Sequence, residues 1–458
     1  MRRRRRVALG VLVLAAGWGG CSGPAGLDAP DAGRTAAYEP GVPHFDLEAV
    51  AAVEDGQPGL HVFVSLPHAA LVFADADTAF VARYDLAVRI RDERGRGTVA
   101  FEAFADTVAV ADAEAARSAA RERRAVWFPL APGRYVAEAT VEDRATDEIG
   151  ERRQRVEVRG ADAPWLGRPL LYGADPGHPI TALHVPADSA SLTVRTGWYA
   201  APPGATVSAA LRRLAADTTV AQPPFWLSPP RGSLAFRGLD ADRADTLLVL
   251  TEPVGPGNGA LDVPLPMLAP GLYHVALDLH AGGEVLASQA RTLSVKPPGF
   301  PRIATLDAMI DALAYIAYPR EQAAIREGTT PGERRARFDA FWGALVSDRQ
   351  VAANLLRQYY ERVEEANRLF TAYKEGWKTD RGMIYVVFGA PEYVERTLEG
   401  EVWHYGYAEQ DPAGRFAFER PLGYGGDDPF GHLVLVRQPV YERAWTRAID
   451  RWRRGAVL

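Results

Sequence analysis

At 458 residues, with 47% apolar and 24% charged residues, the chain reads as a globular protein too long for one ordinary core and sized for two to four domains. Its formal charge of −6 falls to about −11 once Arg2 to Arg6 leave with an N-terminal leader, which argues against nucleic acid or another polyanion as a partner. The single cysteine, Cys21, excludes an internal disulfide, a CxxC redox pair and a cysteine-rich zinc site.

The chain opens with five arginines, a short apolar stretch from Val7 to Ala16, and small residues before Cys21. This is the build of a secretory signal, too short to span a bilayer comfortably. Because it ends on cysteine, residues 1–20 resemble a bacterial lipoprotein signal, which implies lipidation at Cys21 and a membrane anchor. By the sorting rule of such proteins, Ser22 after the cysteine points to the outer membrane. Residues 21–45 are rich in Pro, Gly, Ala and Asp without a hydrophobic period and read as a flexible tether.

From 46 to 160 apolar residues alternate. Tyr84, Leu86, Val88 and Ile90 share one strand face, and the Asp92-Glu-Arg-Gly run that follows is turn chemistry. Short strands with turn signals between them predict an antiparallel β-sandwich. A second such unit, 161–298, shows itself by repetition: LAPGRYVAEATVED from Leu130 and LAPGLYHVALDLHA from Leu268, each followed by a further strand. The Pro-Gly pair makes the turn and the tyrosine starts the strand, the punctuation of an immunoglobulin-like domain near its last hairpin. Packing accounts for Tyr135 and Tyr273 more simply than a carbohydrate platform does.

The proline-rich KPPGFPR at 296–302 marks a boundary, after which the period becomes helical. Leu306, Ile310, Leu313 and Ala317 form one stripe, and Tyr359, Val363, Ala366 and Phe370 another. Next comes YKEGWKTDRGMIYVVFGAP. Gly376 suits the left-handed residue after a helix, Trp377 would fold back on it, and Asp380 would cap a tight turn before a buried strand MIYVVFG. EVWHYGY, RFAFE and HLVLV read as further strands, so residues 299–458 are predicted to be an α+β unit.

The stretch from YYERVEEANRLF through GWKTDRG to EVWHYGY resembles the GWxTD domain of bacterial envelope proteins. The motif falls on Gly376, Trp377, Thr379 and Asp380, continues into Arg381, Gly382 and Tyr385, and Glu401, Trp403 and Tyr405 fit its downstream part. The resemblance implies a cell-envelope location and β-rich N-terminal modules. It carries no catalytic mechanism, so these ten residues are expected to be folding grammar first and a candidate interaction surface for an envelope protein or polymer second.

No HExxH, GxSxG, phosphate loop or GxGxxG after a strand occurs in the sequence, and no cofactor or metal is expected. Asp427 and Asp428 lack the alternating ligands of a calcium loop. Asp380 with Glu401 could form a hydrolytic carboxylate pair if adjacent elements brought them together, and a small-molecule sensor would need an enclosed apolar pocket. The last segment places Val440, Ala444, Trp445, Ala448, Ile449 and Trp452 on one stripe, with arginines elsewhere. It is predicted to be a helix packing that stripe on the sheet, the alternative being a basic helix lying on an anionic membrane.

Overall fold

The computed structural model describes residues 34–35 and 42–457, apart from 95–96, 119, 161, 190, 397–399, 407–413 and 422–429. Cys21 and its leader, most of the tether, Tyr407 and the Asp427–Asp428 loop lie outside the described residues. The molecule is β-rich, with several antiparallel sheets followed by a smaller helical part at the C-terminal end.

In the N-terminal unit, strands Asp46–Glu54, Gln57–Pro67 and Arg121–Pro129 form one sheet, and Phe80–Asp92, Thr98–Val110, Gly133–Asp143 and Ile149–Val158 build the second. Asp55 and Gly56, at φ 47° and 78°, make the two-residue turn that matches the strand twist of the first hairpin. Tyr84, Leu86, Val88 and Ile90 all point into a core shared with Leu60, Val62 and Val64 of the facing sheet. The alternation fixed that register, because a one-residue slip would turn the whole row to solvent.

The middle unit repeats the plan. Thr193–Ala201 and Gly257–Pro264 pair in one sheet, while Thr206–Ala216, Leu239–Pro253, Gly271–Ala281 and Glu284–Lys296 pair in another. One pairing departs from the antiparallel rule: His184–Pro186 runs parallel to Glu284–Lys296. The repeated tyrosines play one role twice. Tyr135 donates its hydroxyl to the Ala131 carbonyl at 2.9 Å, and Tyr273 donates to that of Ala269 at 2.7 Å. Each ring is buried while its phenol ties down the Pro-Gly turn before it.

The C-terminal part is helical from Leu306. Thr305, Thr330 and Asp348 cap the helices Leu306–Ala312, Pro331–Leu345 and Arg349–Phe370 through their side-chain oxygens. Tyr359, Val363, Ala366 and Phe370 are the buried stripe of the last of these. The sheet runs Arg34–Thr35, Tyr393–Arg396, Gly400–His404, Arg415–Glu419, Val434–Leu435, so part of the segment read as tether adds an edge strand here.

The motif's apolar run departs from expectation. MIYVVF is not a strand but most of the helix Asp380–Phe388. Thr379 caps it by accepting the Gly382 N–H, and Gly389 at φ 88° ends it. A short run that is apolar all round has no period to separate a buried strand from a buried helix.

The final helix, Tyr441–Arg453, packs rather than lies free: Trp445 and Trp452 are buried, and the Trp452 indole donates to the Val387 carbonyl at 3.0 Å. Its tryptophans are therefore unavailable to a membrane. Trp452→Ala is expected to lower stability by about 3–5 kcal/mol, the usual result of deleting a buried aromatic, and thermal or urea unfolding will read it directly.

Candidate functional site

The GWKTDRG stretch folds as a single 3-10 turn, Gly376–Lys378, leading into the helix capped by Thr379. It is held by close backbone approach. A Cβ on Gly376 would stand 1.9 Å from the Ala366 carbonyl oxygen of the long helix, and a Cβ on Gly382 would stand 1.8 Å from the Gly376 oxygen. The turn thus lies flat on one helix while the next helix lies flat on the turn. Gly376 does not adopt the left-handed conformation expected of it; the constraint is space, not φ.

Side-chain hydrogen bonds then stitch the stack. Asn367 accepts the Trp377 N–H at 3.3 Å and donates to the Pro301 carbonyl at 2.9 Å. Thr371 accepts the Gly376 N–H at 2.8 Å, and Tyr315 donates to the Trp377 carbonyl at 2.6 Å. Thr379 does double duty, donating to the Gly376 carbonyl at 2.7 Å while it caps Gly382 at 3.0 Å.

Asp380 was expected to serve its own turn. It reaches instead across to the edge of the sheet, accepting the Leu435 N–H at 2.8 Å and two bonds from the Arg437 guanidinium at 2.6 and 3.2 Å. Such a bidentate pair fixes direction as well as charge. Arg437 passes the link on by donating to the Gln222 carbonyl of the middle unit at 3.1 Å.

The downstream residues complete one cluster. Glu401 accepts the Trp403 indole N–H at 3.0 Å and lies 3.7 Å from Arg381, while Trp403 and Tyr385 both pack on Phe370. Tyr405 sits apart, at the far end of the motif helix, donating to the Gly389 carbonyl at 2.8 Å. Of the ten candidate residues, only Arg381 and Tyr405 are not buried. The side chains expected to present a surface face inward.

Their neighbours form the junction with the middle unit. Lys374 pairs with Asp217 at 2.9 Å and donates to the Thr219 carbonyl, and Lys296 donates to the Ala372 carbonyl at 2.9 Å. Burial pulls the Lys296 ammonium down to about 7. The Ala221 N–H donates to the Lys378 carbonyl at 3.0 Å, and Tyr373 meets His432 at 3.0 Å. Arg437, Asp217, Gln222, Asn367 and His432 were not singled out in the sequence. One signal was available: in a chain whose basic residues are otherwise arginine, the lysines Lys296, Lys374 and Lys378 all fall here.

An open groove of about 680 Å³ lies beside this junction, lined by Arg213, Asp242, Arg243, Asp245, Pro270 and Tyr373 among others. Among the described residues no group of three or more His, Cys, Asp or Glu could hold a metal ion.

Residues 271–454 match the family model of the GWxTD domain. These residues form a GWxTD domain. The match begins at the last hairpin of the middle unit, upstream of the boundary at 299 read from the prolines, so the GWxTD model takes in the two strands that carry Tyr273 and Lys296. Among solved structures, a transglutaminase from red sea bream is 10% identical over 56% of this chain and 32% of its own, with a TM-score of 0.18. The chain therefore spans about a third of that enzyme's length. The C-terminal domain of the Streptococcus pyogenes antigen I/II-family protein AspA is likewise 10% identical, over 56% of this chain and 100% of its own, with a TM-score of 0.18. No curated protein matches the sequence.

Two measurements test the lock. Asp380→Asn leaves the Arg437 guanidinium buried without its counter-charge and is expected to cost about 3–5 kcal/mol in urea unfolding. The double variant Asp380→Leu/Arg437→Met, which removes both charges, is expected to recover much of that loss.

The second measurement is pH. Burial first, and the Lys374 charge second, hold the His432 imidazole down at about 3, against an ordinary value of 6.5. Below pH 6.5 the unfolded chain takes up a proton that folded His432 refuses. Its share of stability is complete above 6.5 and is lost as pH falls towards 3. His432→Gln is expected to flatten the fall in stability measured between pH 6.5 and 4.

Proposed function

We propose that this is a non-catalytic protein of the bacterial cell envelope, anchored through lipidated Cys21. In it the GWxTD domain holds two immunoglobulin-like β-sandwiches in a fixed arrangement and presents them to an envelope protein or polymer. The observation that carries the reading is the inward direction of the motif's polar groups. Asp380 is engaged by Arg437 and Leu435, Glu401 by Trp403 and Arg381, and both carboxylates are buried. A periplasmic hydrolase built on this pair would need the two acids free in an open cleft. A sensor would need an enclosed apolar pocket, whereas the groove beside Tyr373 is open and carries Arg213, Asp242, Arg243 and Asp245.

For the partner, the long strand Thr98–Val110 pairs, among the described residues, with Phe80–Asp92 alone, and its other side supports strand addition. Anchoring rests on the leader sequence; among the described residues no helix is long and apolar enough to cross a membrane. Ser22 places the anchor in the outer membrane under this reading. Replacing Cys21 by Ser is expected to move the protein from the membrane fraction to the soluble periplasmic fraction on cell fractionation. Full retention in the membrane fraction would remove the anchor from the proposal.

A further inference from the structure

The loop that leaves the middle unit at Asp217 crosses onto the GWxTD domain and is fastened there several times over. Besides the Asp217–Lys374 pair, the Ala221 N–H bonds to the Lys378 carbonyl, Arg437 donates to the Gln222 carbonyl, and the Gln438 N–H donates to the Pro224 carbonyl at 3.1 Å. Pro224 is buried and Phe225 packs against the C-terminal core. The next two residues then turn outward: Trp226 is 52% exposed and Leu227 is 94% exposed. Pro223 and Pro224 precede them, Pro229 and Pro230 follow, and the Trp226 N–H closes a turn on the Pro223 carbonyl at 3.2 Å. A large aromatic and a leucine are thus held in water on a backbone that has little freedom to withdraw them.

The segment fastened to this loop leads into an arginine-bearing helix. Gln438, fastened to Pro224, leads directly into Val440, which is itself 37% exposed. On the helix that begins there, Val440, Arg443 and Arg447 follow one another at helical spacing on one face, and both arginines are exposed. Along this helix Arg443, Arg447 and Arg451 are exposed beside Glu442 and Asp450, while Arg453 is held by Glu321. Tryptophan beside leucine suits the boundary between headgroups and acyl chains, and arginines near the surface are drawn to anionic lipid.

We infer that the Trp226–Leu227 tip, together with Val440, Arg443 and Arg447, is a docking surface for a bilayer carrying anionic headgroups. It differs from a membrane-lying terminal helix, whose Trp445 and Trp452 are buried. It does not rest on the Cys21 anchor, because the tip and the arginines belong to the folded part of the chain.

The test uses residues 21–458 with Cys21→Ser, so that no lipid is attached, and sedimentation with vesicles of phosphatidylcholine alone or mixed with phosphatidylglycerol. Binding is expected to the mixed vesicles, weakening with salt. Trp226→Ala/Leu227→Ser and Arg443→Glu/Arg447→Glu are each expected to weaken it about tenfold, with thermal unfolding unchanged because all four side chains are exposed. Failure of the parent chain to bind the mixed vesicles, or binding undiminished in Trp226→Ala/Leu227→Ser, overturns the inference. Either result leaves the fractionation of the lipidated protein as a separate question.

Discussion

Where Gly376 meets Ala366, backbone lies on backbone with no room for a side chain, and the C-terminal half is organised by that contact. Gly382 repeats it one layer further out against the Gly376 carbonyl. With the turn pressed between two helices, the directions of its other residues follow. Trp377 enters the core beside Tyr315, Thr379 points back to cap, and Asp380 leaves the first helical turn towards the sheet edge. A β-carbon at either glycine would separate helices whose apolar stripes are otherwise complete. The polar bonds of the motif depend on this spacing, since they span 2.6 to 3.3 Å and weaken steeply if the turn is lifted.

At the junction, the charged heads differ in the acceptors they meet. A buried guanidinium brings five N–H donors in a planar fork, whereas an ammonium brings three that rotate to suit. Lys296 meets the Ala372 carbonyl, and Lys374 meets one carboxylate oxygen and one carbonyl. Arg437 is used where the acceptors do form a fork, at the two Asp380 oxygens with the Gln222 carbonyl beside them. At Lys296, Lys374 and Arg437 the donor head thus matches the layout of its acceptors.

Much of the β-rich half was legible in the sequence. Alternation through Tyr84 to Ile90 named a buried face, and the Leu-Ala-Pro-Gly repeat located two equivalent turns whose tyrosines perform the same bond. The helical stripe from Tyr359 to Phe370 was equally plain. MIYVVF was not, because β-branched residues suggest a strand when nothing local opposes them, and what opposes them here is the Thr379 cap and burial on all sides. Asp380 was misassigned for a related reason. A carboxylate two residues before a glycine looks local, while its partners Leu435 and Arg437 are more than fifty residues away. Long-range ion pairs leave no period to read. The motif could therefore be recognised without its direction, inward rather than outward, being known.

An inward motif changes where recognition can reside. Asp380 holds Arg437, Arg437 holds the Gln222 carbonyl, and Gln438 beside it holds the Pro224 carbonyl, so the motif reaches the surface through the loop it mounts. Leaving Leu227, 94% exposed, in water forgoes roughly 1.5–3 kcal/mol that full burial would have provided, and the exposed half of Trp226 adds to it. A free loop could regain part of that by folding down, as long as its backbone found new hydrogen-bond partners. Here the Thr219, Gln222 and Pro224 carbonyls and the Ala221 N–H are already bonded to the GWxTD domain, so collapse would break several bonds to bury two side chains. Exposure at the tip is therefore maintained by order in the interior.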